Sequence, residues 1–120
     1  MERKAMKRFS LIVTGTTAFF LGGHAQAASF DCRKAGDADE IAICDSRELS
    51  ELDVKMATLY DTIIKLVGMG MRGALQDQQR AWLQERAGCG ADRACLRRLY
   101  DTRIRALEAE VARIAKGGPY

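Results

Sequence analysis

Residues 46–66 read SRELSELDVKMATLYDTIIKL and carry the most regular apolar pattern in the chain. Alternate spacings of three and four residues separate the apolar positions Leu49, Leu52, Met56, Leu59, Ile63 and Leu66. This spacing lays one apolar stripe along an α-helix, whereas a half-buried strand would alternate with a period of two. Asp45, followed three residues later by Glu48, can cap the first turn, and Ser46 is the alternative cap. The stretch predicts an amphipathic helix about 30 Å long.

Two further helices are predicted after this one. The segment GMGMRG at 68–73 contains three glycines and predicts a connecting loop. A helix then runs over about 74–87, with Leu75, Trp82 and Leu83 as its main apolar residues. The segment 88–91 ends it, and Asp92 can cap the last helix. The apolar stripe of that helix consists of Leu96, Tyr100, Ile104, Leu107, Val111 and Ile114.

A short apolar group at 41–44, preceded by Gly36 and Asp37, predicts one or two helical turns before the long helices. No segment alternates with a period of two, so no sheet is expected. The fold class is therefore predicted as all-α. The expected architecture is a small antiparallel bundle of three main helices plus a short N-terminal helix.

The first 27 residues have the three parts of a secretory signal peptide. Basic residues at 3–8 precede an apolar run at 9–23, and Ala25-Gln26-Ala27 is a small-x-small cleavage site. The apolar run is shorter than the ~20 residues that span a bilayer, so no stable membrane anchor is expected. We predict a signal peptide at 1–27, a helical domain at 28–116 and a flexible tail at 117–120. The expected location is the periplasm or the secreted fraction.

The net charge of +3 belongs to this leader. Removal of residues 1–27 takes away four bases, one acid and the only histidine, His24, and leaves 15 bases and 15 acids. Histidine-dependent catalysis and histidine-containing zinc sites are therefore excluded. Arg97 and Arg105 of the last helix are predicted to lie on a solvated face rather than to bind phosphate, so no nucleic-acid partner is expected.

Four cysteines, Cys32, Cys44, Cys89 and Cys95, lie in the remaining chain. An even number in a short exported chain predicts two disulfides, with three connectivities open. The local pairs Cys32–Cys44 and Cys89–Cys95 are favoured. A four-thiolate zinc site is disfavoured because the spacings lack a C-x2-C knuckle. The Met-x-Met at 69–71 is a weak copper motif. No metal or cofactor is expected.

The acidic residues concentrate near the N-terminus, since residues 31–53 hold eight acids and three bases. One interpretation is that acids favour the positive ends of helix dipoles. The functional interpretation is a surface that attracts a basic protein partner. The candidate partner-binding residues are Asp37, Asp39, Glu40, Glu48 and Glu51. A catalytic carboxylate pair would need a cleft that a thin bundle does not offer, so no enzyme activity is expected.

An ordered set of residues runs through most of the chain after the leader. It comprises 30–32, 35, 40–44, 49, 52–53, 60, 79–83, 86, 89, 95–96, 100 and 103–104. This pattern resembles the LprI-like lysozyme inhibitor N-terminal domain family of secreted bacterial proteins. The resemblance implies a helical, disulfide-bonded envelope domain and inhibition of lysozyme. It does not identify the residues that contact lysozyme. The family's namesake is a lipoprotein, whereas no lipid-attachment cysteine is found here.

The expected function is therefore a secreted or periplasmic protein-binding domain that inhibits lysozyme-type cell-wall hydrolases. The acidic surface would attract a basic lysozyme, and an arginine, with Arg72 as the candidate, would pair with the carboxylates of its cleft. The alternative is a structural or adaptor domain of the envelope that binds a non-hydrolase protein.

Overall fold

The computed structural model describes residues 27–117. The predictions for residues 1–26 and 118–120 lie outside the described residues. A 3₁₀ helix at Cys32–Lys34 leads into α1 (Ala38–Asp45), α2 (Arg47–Leu66), α3 (Met69–Gly88) and α4 (Arg93–Lys116). No strand occurs between residues 27 and 117. The all-α class, with three main helices and a short N-terminal one, is confirmed.

The three long helices run up, down and up. Near the starts of α2 and α4, Glu48 and Arg97 form an ion pair with a 3.1 Å separation between their side-chain atoms. Further along the same two helices, Lys55 pairs with Glu108, so α2 and α4 are parallel. Helix α3 lies antiparallel to both. The predicted antiparallel arrangement therefore holds for each pair of consecutive long helices.

The core lies between the predicted stripes of α2 and α4. Leu49, Met56 and Ile63 of α2 are buried, at intervals of seven residues, while Leu52 and Leu59 are half-buried. Helix α4 contributes the buried residues Leu96, Tyr100, Ile104, Leu107 and Ile114. Helix α3 contributes fewer side chains. Leu83 is 39% exposed, because the adjacent Trp82 takes the inward position.

Capping side chains define where two of the helices begin. The Ser46 hydroxyl accepts a hydrogen bond from the Leu49 N–H at 3.3 Å, so Ser46 rather than Asp45 is the cap of α2. The Asp92 carboxylate accepts from the Cys95 N–H at 3.0 Å, which confirms the predicted cap of α4. Each cap satisfies a backbone donor that the first helical turn leaves without a partner.

The predicted loop at 68–73 is wrong, because α3 already begins at Met69. The Arg72 side chain donates from Nε to the Ile64 carbonyl at 3.0 Å and from Nη2 to the Val67 carbonyl at 3.3 Å. These bonds satisfy carbonyls at the end of α2 and tie the first turn of α3 to it. This tertiary anchoring overrides a helix propensity cost of about 1 kcal/mol per glycine. It also engages the guanidinium that the sequence suggested as a free cation.

Gly73→Ala is expected to raise the free energy of unfolding by about 0.5–1 kcal/mol, because alanine has the higher helix propensity. Nothing lies within 4 Å of a Cβ built at Gly73, so the methyl group meets no obstacle. Gly90→Ala is the matched control. Gly90 has a φ of 55°, and alanine there should destabilise the protein by about 1 kcal/mol. Urea unfolding measures both; a loss of stability in Gly73→Ala contradicts the helical assignment.

Candidate functional site

Both disulfides lie at the same end of the bundle. Cys32–Cys44 ties the 3₁₀ helix to the last turn of α1, and Cys89–Cys95 closes the turn between α3 and α4. The favoured pairing is confirmed, and no cysteine remains free. Within residues 27–117 no cluster of three or more His, Cys, Asp or Glu side chains could hold a metal ion. This cross-linked end also contains most of the buried polar groups.

One arginine lies between two buried carboxylates near this end. Arg86 on α3 donates from Nε to Asp39 Oδ2 on α1 at 2.8 Å. Its Nη1 lies 3.7 Å from Asp53 Oδ1 on α2. Asp39 is 2% exposed and Asp53 is fully buried, so the ion pairs are shielded from water. Arg86 therefore joins three helices through charged contacts that the local sequence does not bring together.

Asp53 is the most connected member of this group. The Tyr100 hydroxyl on α4 donates to its Oδ1 at 2.8 Å, and the Ser29 N–H donates to its Oδ2 at 2.7 Å. Every buried side-chain nitrogen and oxygen in the described part of the chain has a hydrogen-bond partner. These hydrogen bonds offset the free-energy cost of burying the polar groups.

Aromatic rings complete the surroundings of the Arg86 guanidinium. Its central carbon lies 5.5 Å from the centre of the Phe30 ring and 6.0 Å from that of Trp82. Trp82 meets Tyr100 edge to face, with ring centres 5.1 Å apart. Cation–π contacts of this kind gain strength when the cation is desolvated. The group thus holds α1 and the segment before it against the bundle.

The same burial changes two titration equilibria. Burial, and after it the charge of Asp53, raises the pKa of Tyr100 far above its ordinary value of 10.0. Burial disfavours the charged form of Arg86, but its interactions with Tyr100 and with the Asp39 carboxylate outweigh this and raise its pKa. The hydroxyl is therefore a neutral donor and the guanidinium a fixed cation over the physiological range.

The family model described as "Lysozyme inhibitor LprI" matches residues 32–113, from the first disulfide cysteine to the last turns of α4. The chain belongs to the LprI lysozyme inhibitor family. The recognised resemblance is thereby confirmed, and the family is one described by inhibition rather than by catalysis.

Curated relatives show the same likeness at low identity. The Lipoprotein LprI of Mycobacterium bovis is 29% identical over 79 residues, which cover 63% of this chain and 39% of the relative. The proteins of the same name from Mycobacterium tuberculosis strains CDC 1551 and H37Rv give the same values. The chain thus spans about two fifths of the length of the relatives it matches. No solved structure shows a significant match.

The relatives' name and the two disulfides indicate an envelope or exported protein. None of the helices within residues 27–117 is long and apolar enough to cross a membrane. For this LprI family member, the inhibition of a lysozyme and the exact compartment stay predictions.

One of the five predicted acidic surface residues of this LprI domain does not lie on the surface. Asp39 is buried against Arg86 and cannot belong to an exposed surface, which corrects the sequence-based expectation. Glu48 is exposed but paired with Arg97, and Glu51 is exposed but paired with Arg47. Glu40 is half-buried and accepts from the Gly36 N–H at 3.1 Å, while Asp37 is exposed beside the first turn of α1.

The residues that sequence reasoning missed are the buried polar ones, above all Asp53 and Arg86. Asp53 lies four residues after Leu49 and three before Met56, which is an inward position of α2. Arg86 lies four residues after Trp82 and so shares its face of α3. A charged residue in an apolar register is the signal that could have identified both.

Proposed function

We propose that this protein is an exported binding domain of the bacterial envelope that inhibits a lysozyme-type cell-wall hydrolase. The match of the LprI lysozyme inhibitor family over residues 32–113 carries the proposal, because it spans almost the whole described bundle. The leader at 1–27 would direct the chain through the inner membrane, and cleavage after Ala27 would release it into the periplasm or the medium.

An acidic surface around α1 supports a role in binding a basic enzyme. Among the ion pairs of residues 27–117, none neutralises Asp37, Glu40 or Asp45. We call these three residues the α1 acidic surface. The Cys32–Cys44 disulfide and the Asp39–Arg86 pair hold α1 in place, so the surface is ordered before binding. Its charge would speed encounter with a basic lysozyme.

The proposal is tested with chain 28–120 in an assay of peptidoglycan lysis. We expect the wild-type protein to slow lysis, and the triple variant Asp37→Asn, Glu40→Gln, Asp45→Asn to be about tenfold weaker at low salt. The difference should shrink as the Debye length falls from about 10 Å at 0.1 M salt to about 3 Å at 1 M.

A matched triple variant controls for net charge. Asp61→Asn, Asp77→Asn and Glu108→Gln remove the same charge from exposed positions on the long helices and should leave inhibition unchanged. Equal losses in the two triple variants would show that total charge, not the α1 acidic surface, matters. Absence of inhibition by the wild type at large molar excess, across several lysozyme types, rejects the proposed function.

An adaptor role is the second candidate, and exposed apolar side chains favour it. At the α2–α3 turn, Met69 is 86% exposed, Leu66 48% and Met71 43%. Clustered apolar exposure is typical of protein contact sites, and methionine adapts its shape to a partner. A non-hydrolase envelope protein captured by the wild type but not by Met69→Ser with Met71→Ser would support this role.

A further inference from the structure

A groove lies between α3 and α4, and its lining shares no residue with the α1 acidic surface. Its volume is about 330 Å³, near the lower end of the range for pockets that hold small ligands. Ala81 and Trp82 from α3 and Leu99 and Ala106 from α4 form its apolar lining. Arg103 is the cation in the groove wall.

Neighbouring side chains hold Arg103 in a fixed orientation. Its Nε and Nη2 both donate to Gln79 Oε1, at 3.2 and 2.9 Å. The Gln79 amide nitrogen in turn donates to Met56 Sδ at 3.3 Å, which turns the amide oxygen toward Arg103. The guanidinium is therefore positioned by α2 and α3 before any ligand arrives.

Arg103 has no acidic partner in the part of the chain that the structure describes. Arg33, Arg47, Arg80 and Arg97 each pair with a carboxylate, but no carboxylate of residues 27–117 lies within ion-pair distance of Arg103. The Arg103 side chain is half-buried, and burial lowers its pKa. An electrostatic interaction with Tyr60 acts in the opposite direction but does not cancel this effect. An anion therefore stabilises such a partly desolvated cation strongly, because the existing partner of the cation is neutral.

The N–H groups of Arg103 indicate which anion fits. A guanidinium has five, and Gln79 engages two, so three are left among the described contacts. A planar carboxylate matches this fork, and its aliphatic stem can pack on Trp82 and Leu99. Glu85 on the groove wall repels a doubly charged group such as phosphate more strongly than a singly charged carboxylate.

We propose that the groove between α3 and α4 binds a glutamate side chain of a partner polypeptide. Arg103 forms the ion pair, Gln79 positions Arg103, and the Trp82 and Leu99 side chains contact the apolar part of the bound segment. The site is separate from the α1 acidic surface. This proposal goes beyond the proposed inhibition of lysozyme. It does not depend on that activity, so the two proposals can fail independently.

Trp82 is the only tryptophan of the chain, so its fluorescence reports directly on the groove. The probe is the blocked dipeptide acetyl-leucyl-glutamyl amide, compared with its glutamine counterpart at the same ionic strength. We expect a saturable change in Trp82 emission with the glutamyl peptide. The glutaminyl peptide should bind about tenfold more weakly, as for the loss of a charge-assisted hydrogen bond.

Variants of Arg103 locate the effect. Arg103→Gln should remove the preference for the glutamyl peptide, and Arg103→Lys should keep part of it because the charge remains without the fork. Arg105→Gln, an exposed position on the same helix, is the matched control and should bind as the wild type does. Circular dichroism checks that each variant is folded. Equal affinity of the wild type for the two peptides, or no response to either, overturns the proposal.

Discussion

Arg86→Met is expected to lower the free energy of unfolding by about 3–5 kcal/mol, the loss typical of removing one partner of a buried ion pair. The substitution keeps an unbranched side chain of similar length but leaves Asp39 and Asp53 buried without their shared cation. It also removes the cation from between the Phe30 and Trp82 rings. A small domain has about 5–15 kcal/mol of stability in total, so the variant should be close to unfolding. Urea denaturation followed by circular dichroism measures the change.

Arg80→Met is the control on the same helix. Arg80 and its partner Asp77 are both exposed, so this variant should lose less than about 1 kcal/mol. Asp39→Leu added to Arg86→Met should restore part of the stability, because it removes a carboxylate that has lost its partner. A loss in Arg86→Met no larger than that in Arg80→Met would contradict the central role of the buried pair.

The features that sequence analysis predicted well depend on local pattern. The apolar stripe from Leu49 to Leu66 predicted a helix of about 20 residues, and α2 spans Arg47–Leu66, because the apolar spacing repeats at every turn. The Asp92 cap and the start of α4 follow from a single side chain and the backbone beside it. The favoured disulfide pairs are local as well, since each ties a short segment to an adjacent helix end.

The features that it missed depend on contacts between distant segments. Asp39 and Arg86 are 47 positions apart, and so are Asp53 and Tyr100. Local composition places an acid on the surface, since unpaired carboxylates are rarely buried. Only the packing of α1 onto α2, α3 and α4 supplies the partner that makes burial favourable. The glycine segment at 68–73 was misassigned for the same reason, because the anchoring by Arg72 is tertiary.

Stability is expected to fall steeply above pH 10, and Tyr100 should account for a separable part of the fall. The pKa of Tyr100 is raised in the folded protein, so at alkaline pH the native state retains a proton that the unfolded chain has lost. The stabilising contribution is therefore complete below pH 10 and is lost as the pH rises toward the folded value. The slope is about −1.4 kcal/mol per pH unit for one proton.

Tyr100→Phe isolates this contribution. Below pH 9 the variant should be less stable than the wild type by about 1–3 kcal/mol, because Asp53 loses a buried donor. Above pH 10 the gap should close, and then reverse, because the phenylalanine has no proton to lose while lysines titrate equally in both proteins. Urea unfolding between pH 7 and 12 under non-reducing conditions measures the gap, and the absence of a free thiol suppresses disulfide exchange. A gap that stays constant from pH 7 to 12 contradicts the coupling between the Tyr100 hydroxyl and the buried Asp53 carboxylate.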